Sequence, residues 1–319
     1  MIVRFGLEHL GPVLGELGCA RPLLVTSERF AGLELPVAAR FTGVRRHAPL
    51  DTVAAATRAA EGADGLVGLG GGSAIDTAKA VSAATGLPLV AVPTTYAGAE
   101  WTPYFGLRDE ARGIKAGGSG ARTAAAVYEP ELTLALPLGE TVGTALNALA
   151  HCAEALYAGP HADAVAGARL IARHLPAVVE RPRDLAERAG LLRGAMHAGK
   201  ALGERGLFLA HALAQALGGR YGLPHGALNA LCLAPALRFN EPAVPGALAA
   251  LAEALGVEDA PAEVERLAAL GGFRRLRDLG IPEDDLAAVA AEAAARPGAR
   301  ANPRPVSAQD VEALYRSAW

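Results

Sequence analysis

Lysine is almost missing from this chain. Of 30 basic residues, only Lys79, Lys115 and Lys200 are lysines and the others are arginine. That skew points to genome composition more than to mechanism. Cysteine is equally scarce. Cys19, Cys152 and Cys232 stand far apart. An odd, scattered set excludes a disulfide framework, and the lack of any CxxC pair excludes a structural zinc of the finger type. Such usage fits a reducing compartment, so a cytoplasmic location is expected. Charge of one sign is lacking too. A net charge of −3 provides no strong field to draw nucleic acid or an anionic membrane surface. Uninterrupted apolar runs are missing although the mean hydropathy is +0.24. The Ala-rich stretches meet charge or Gly within about 20 residues, the span a bilayer helix needs. The N-terminus reaches Glu8 and Gly11 too soon for the apolar region of a signal peptide.

What is present is a globular chain. Of 319 residues, 51% are hydrophobic and 20% charged, which rules out a disordered polypeptide. The 38 Gly and 21 Pro follow no triplet period, which rules out a collagen-like one. The length suits one large domain or two ordinary ones. The chain changes character near residue 138. Before it, apolar runs at 21–26, 65–69 and 87–92 read as strands, and 51–61 and 74–85 read as helices. Strand–helix alternation implies a parallel sheet covered on both faces. After Pro137, helical patterns fill 139–158, 161–181, 183–203, 206–218, 226–237 and 245–256. More follow near 262–270, 283–295 and 307–317. Pro160, Pro182, Pro224 and Pro282 fall at the breaks. The expectation is an α/β nucleotide-binding domain over 1–138 and an all-α domain over 139–319.

Two turns in the first part suggest a bound nucleotide. Gly68-Leu69-Gly70-Gly71-Gly72-Ser73 follows a strand and opens a helix. Glycines there let a ligand approach the backbone, and the helix start offers N–H groups and a positive dipole end to a phosphate. Ser73 is expected as the N-cap, with Asp76 completing a capping box. The run departs from the common dinucleotide fingerprint: its sixth position is Ser73, and it follows a later strand. Val92-Pro93-Thr94-Thr95-Tyr96-Ala97-Gly98 follows the next strand, putting both turns at the carboxyl edge of a parallel sheet, where ligands bind.

The histidines divide into two groups. Asn147 and His151 are four apart on one helix face, His211 and Gln215 repeat that spacing, and His225 follows Pro224. Each lies beside small residues. His9, His47, His161, His174 and His197 lack that setting and are expected at the surface.

The strings GLGGGSAIDTAKA, VPTTYAGAEWTP, LNALAHCAEALYA and HALAQALGGRYGLPHG occur in this order. In them the chain resembles the iron-containing alcohol dehydrogenase superfamily, with its dehydroquinate synthase-like fold. It is most similar to the maleylacetate reductase branch, over roughly residues 1–240. The resemblance implies an active site in the cleft between the two domains. It places Gly71, Gly72 and Ser73 at a pyrophosphate, Thr94 and Thr95 along the nucleotide site, and Lys115 of the Gly113-Ile114-Lys115 turn at the ribose. NADH or NADPH is the implied cofactor. No acid follows strand 21–26 before Glu28, so use of both is expected. Metal-dependent members hold iron or zinc with an Asp and three His. The matching positions here are Asn147, His151, His211 and His225. The Asp is absent, as in maleylacetate reductases, which work without metal. If a metal is bound, His151, His211 and His225 are its ligands. Maleylacetate reductases usually carry two further His, where this chain has Ala210 and Gln215.

The expected chemistry is hydride transfer to a conjugated keto acid, maleylacetate to 3-oxoadipate. His151, His211, His225 and Asn147 are the expected catalytic set, and Arg220 is a candidate cation for a substrate carboxylate. The expected partners are a small-molecule substrate and a second copy of the chain. A metal-dependent alcohol or polyol dehydrogenase, a sugar-phosphate cyclase and a non-catalytic nucleotide-binding homologue are the alternatives.

Overall fold

A computed structural model describes the chain except Ala111 and Gly113, and gives only the backbone of Ile114, Lys115 and Ala116. The chain forms two compact units, Met1–Ala135 and Leu136–Trp319.

The first unit contains strands β1 (Ile2–Phe5), β2 (Pro22–Val25), β3 (Ala39–Phe41), β4 (Gly65–Gly70), β5 (Leu89–Pro93), β6 (Phe105–Asp109), β7 (Ile114–Gly118) and β8 (Thr123–Tyr128). Helices α1 (Leu10–Glu16), α2 (Leu50–Ala59) and α3 (Gly72–Thr85) lie between them. Six strands pair in parallel in the order β1-β8-β5-β4-β2-β3. Both faces are covered, so each strand divides its apolar residues by the two-residue period. Leu24, Val67, Leu69, Val90 and Val92 pack with Leu10, Val13 and Leu14 of α1. Leu23, Val25, Leu66 and Leu89 face the other way, onto Ala56 and Ala60 of the α2 region and Ala78 and Val81 of α3.

From β2 the chain passes outward to β3. It then returns to the other side of β2 as β4, from which β5 and β8 continue. The order therefore reverses between β2 and β4, and ligands of open parallel sheets bind at the carboxyl ends beside such a reversal. The Gly-rich turn begins there. The separate antiparallel hairpin β6–β7 was not expected, and it places Lys115 on a strand, opposite Arg108, instead of in a turn. The Lys115 side chain lies outside the described residues.

The second unit is helical: α4 (Leu138–Tyr157), α5 (Ala162–Glu180), α6 (Leu185–Arg205), α7 (Leu209–Tyr221), α8 (His225–Asn240), α9 (Pro245–Leu255), α10 (Ala260–Leu270), α11 (Leu286–Ala294), α12 (Pro297–Arg300) and α13 (Ala308–Ala318). Helix α4 is buried almost without interruption from Thr141 to Leu156 and packs against α5, α6 and α8. Small residues permit close approach. A Cβ added to Gly226 would stand 2.6 Å from the Gly143 carbonyl carbon, so α4 and the start of α8 touch backbone to backbone. No described helix is long and apolar enough to cross a membrane.

Candidate active site

In the first unit, the turn after β4 is built by backbone geometry. Gly70 has φ of +142°, a conformation that favours glycine. Helix α3 starts at Gly72 with Gly71 as N-cap, and no side chain caps it. The expected Ser73–Asp76 capping box does not form. Ser73 is already inside the first turn, so its Oγ turns outward and accepts from His47 N at 2.9 Å. Asp76 Oδ2 accepts from Gly106 N at 3.1 Å, in the β6–β7 hairpin. The helix start thus keeps backbone N–H groups without a side-chain acceptor, as an anion site requires. Space is present as well: a Cβ added to Gly72 would meet no atom within 4 Å, whereas one on Gly71 would meet Thr95 Cγ2 at 3.0 Å. Thr94 N donates to Gly70 O at 3.0 Å, which ties the second turn to the first. Gly71, Gly72, Ser73, Thr94 and Thr95 therefore meet at one edge of the sheet, and their geometry fits a nucleotide pyrophosphate.

His47 does not lie at the surface as its setting in the sequence suggests. It is half-buried, and His47 and Ala48 take φ of 62° and 46°, strained for residues with a Cβ. That strain lies in the segment that touches the Gly-rich turn. No local sequence pattern announces it, because neither residue is a glycine.

In the second unit, three imidazoles converge. Asn147 and His151 project from α4, His211 from α7, and His225 from the first position of α8. The His151 and His211 rings stack with centroids 4.8 Å apart, and the His211 and His225 centroids are 5.7 Å apart. Asn147, His151 and His211 are buried, while His225 is half-buried.

Two residues that sequence reading missed organise it. Glu154 is fully buried, and its Oε2 accepts from His211 Nδ1 at 2.7 Å. Asn229 is also fully buried, and its Nδ2 donates to Asn147 Oδ1 at 2.8 Å and lies 2.9 Å from His225 Nε2. His211 Nε2 is 3.3 Å from the same Asn147 oxygen. Both His211 nitrogens thus face oxygens, Glu154 Oε2 on one side and Asn147 Oδ1 on the other. His225 Nε2 accepts from Asn229, which places the proton of the neutral ring on Nδ1. Burial, and then the neighbouring His211 and His225, hold the His151 imidazole well below its ordinary range, so that ring stays neutral. Both missed residues had a spacing signal. Asn147, His151 and Glu154 fall at i, i+4 and i+7 on one helix face, and Asn229 is four residues after His225.

The donor set differs from one built around a carboxylate. Asn147 offers a neutral carbonyl, already accepting from Asn229, where a hard cation requires a carboxylate. His225 Nε2 is also engaged by Asn229.

Other expectations are corrected. His161 is buried and accepts from Ala164 N as the N-cap of α5, with Glu204 3.0 Å from its other nitrogen. Arg220 pairs with Glu292 at 2.9 Å and Asp285 at 3.6 Å, so carboxylates of this chain already occupy the candidate substrate cation.

Comparison with known proteins follows the same division. The model described as iron-containing alcohol dehydrogenase matches residues 3–128, and the model of the Fe-containing alcohol dehydrogenase family C-terminal part matches 141–319. Maleylacetate reductase of Burkholderia cepacia is 36% identical over 334 residues, covering 98% of this chain and 93% of the relative. That of Pseudomonas knackmussii is 38% identical over 332 residues, with 98% and 93% covered. The crystal structure of maleylacetate reductase from Rhizobium sp. strain MTP-10005 superposes with a TM-score of 0.92 at 35% identity, covering 100% of this chain and 95% of that one. An iron-containing alcohol dehydrogenase from Corynebacterium glutamicum superposes with a TM-score of 0.93 at 32% identity, with 100% and 94% covered. With a Gly-rich turn opening a helix in one unit, an imidazole cluster in the other and matches across both, the chain belongs to the iron-containing alcohol dehydrogenase family and is an NAD(P)H-dependent oxidoreductase.

Proposed function

We propose that this chain reduces the carbon–carbon double bond of maleylacetate, giving 3-oxoadipate, without a metal ion. The reduced nicotinamide supplies the hydride when bound. Residues of this chain then manage the charge and the proton. Hydride addition to the alkene carbon distal to the ketone moves negative charge onto the ketone oxygen, as an enolate. N–H groups of His211 and His225 stabilise that oxygen from fixed positions, and fixed donors cost no reorganisation when charge develops. One of them then protonates the carbon beside the ketone. His151, kept neutral by burial, adds no charge to the cluster. Asn147 and Asn229 orient the cluster and carry no exchangeable charge.

The observation that carries this reading is Asn147, a neutral carbonyl engaged by Asn229 at the position where a metal site needs an anion. The maleylacetate reductases at 36% and 38% identity support the substrate. Both NADH and NADPH serve in this reading. β2 runs into Thr26, whose Oγ1 donates to Leu69 O at 2.8 Å, and the next carboxylate, Glu28, is exposed. Gly71, Gly72, Ser73, Thr94 and Thr95 hold the nucleotide, with Lys115 at the ribose. The chain works as a cytoplasmic homodimer; its buried free cysteines, Cys19, Cys152 and Cys232, support a reducing compartment.

The test is a substrate panel read by nicotinamide absorbance. Maleylacetate is reduced with either cofactor, and simple aldehydes and primary alcohols turn over far more slowly. Efficient alcohol or aldehyde turnover without enone reduction would overturn the reading in favour of a metal-dependent alcohol dehydrogenase.

A further inference from the structure

We propose that Glu154 is the positioning residue of this site. It holds the His211 imidazole so that Nε2 faces Asn147 and the ring cluster, and it docks the start of α7 onto α4 with the same carboxylate. The proposal rests on the reading of His211 as a proton donor in the reduction.

Glu154 is fully buried. A carboxylate in such a place is costly unless it is paired and hydrogen-bonded, and here each bond is identifiable. Oε2 accepts from His211 Nδ1 at 2.7 Å and from Phe208 N at 2.9 Å, and Oε1 accepts from His211 N at 3.2 Å. The two backbone donors belong to the first turn of α7, whose N-cap, Phe208, has no side-chain acceptor of its own. Glu154 therefore caps that helix from outside, with negative charge at its positive end. The bond to Nδ1 does something a cap does not need. It fixes the ring's rotation and tautomer, so the nitrogen left facing the cluster is Nε2. Stacking of His151 on His211 holds the ring plane from the side. A carboxylate that orients an imidazole and stabilises its cation is the arrangement by which a His donor is kept ready. The carboxylate itself touches neither substrate nor cofactor in this account.

The experiment is a double-substitution cycle with Glu154→Gln and His211→Ala. Glu154→Gln retains an oxygen for the backbone donors and removes the charge that orients the ring. We expect kcat to fall between about 10- and 100-fold, less than the 10²–10⁴ that a general acid contributes, with KM and nicotinamide affinity nearly unchanged. In the His211→Ala background the same change should cost little more, because there is no ring left to position. Additive losses, or a parent-like kcat for Glu154→Gln, would overturn the proposal. If Glu154→Gln does not fold, the imidazole nitrogen spectrum of the parent protein decides. A proton on His211 Nδ1 in a strong hydrogen bond is expected, and a ring protonated at Nε2 alone would overturn it. That spectrum does not depend on the substrate, so failure to reduce maleylacetate tests the proposed function separately.

Discussion

Asn147 carries the largest consequence of any single residue. It shares a helix face with His151, and its Oδ1 faces His211 Nε2 at 3.3 Å. Asn147→Asp changes no side-chain length and puts an anion among three imidazoles, a donor set that suits zinc or ferrous iron. The variant should take up stoichiometric zinc on reconstitution, as measured by elemental analysis, and lose part of its metal-free activity. A variant that binds no more zinc than the parent would show that Asn229 and Glu154, not the missing charge, set the donors' directions. Gly72 poses a second question at this scale. No atom lies within 4 Å of a Cβ added there, so Gly72→Val should leave the fold intact. It would fill the space read as the pyrophosphate site, so nicotinamide affinity should drop at least about tenfold, or 1.4 kcal/mol, by fluorescence titration. Unchanged affinity would mean the phosphate lies elsewhere. Gly71→Val is a poorer test, because its side chain would first strike Thr95.

At the scale of elements, the site depends on how closely α8 approaches α4. His225 heads α8, and the next residue, Gly226, lies against Gly143 of α4 with no room for a side chain. Gly226→Ala should destabilise the protein by about 1–3 kcal/mol, the usual cost of overpacking a rigid contact. It should also reduce activity by shifting His225, although the imidazole is intact. Denaturant unfolding beside steady-state kinetics checks both effects. The periodicity that makes α4 and α8 helices was legible in the sequence, and so were the strands at β2, β4 and β5, because apolar spacing is a local signal. The short edge strands β1 and β3 were not, since little apolar pattern fits in four or three residues. Pro176 and Pro235 lie inside helices, so proline marks boundaries only where packing permits an end. The Ser73 capping box failed because the turn's glycines, not a side chain, set where α3 begins. Asn147, His151, His211 and His225 were all legible as small-residue neighbours. Their partners Glu154 and Asn229 were passed over because their contacts with α7 and Asn147 are made across the bundle.

For the whole molecule, the division into an α/β part and a helical part follows from one change in hydrophobic period near residue 138. The two family models match on either side of it, at 3–128 and 141–319. In the proposed reaction the imidazole cluster, not a metal ion, bears the charge that develops on the ketone oxygen. The measurement that bears most directly on this is the rate of maleylacetate reduction by NADPH after exhaustive chelation, with metal content determined on the same sample. Metal-independent reduction requires an unchanged rate in protein carrying far less than one metal ion per chain. A rate that disappears with the metal and returns with added zinc or ferrous iron would contradict it.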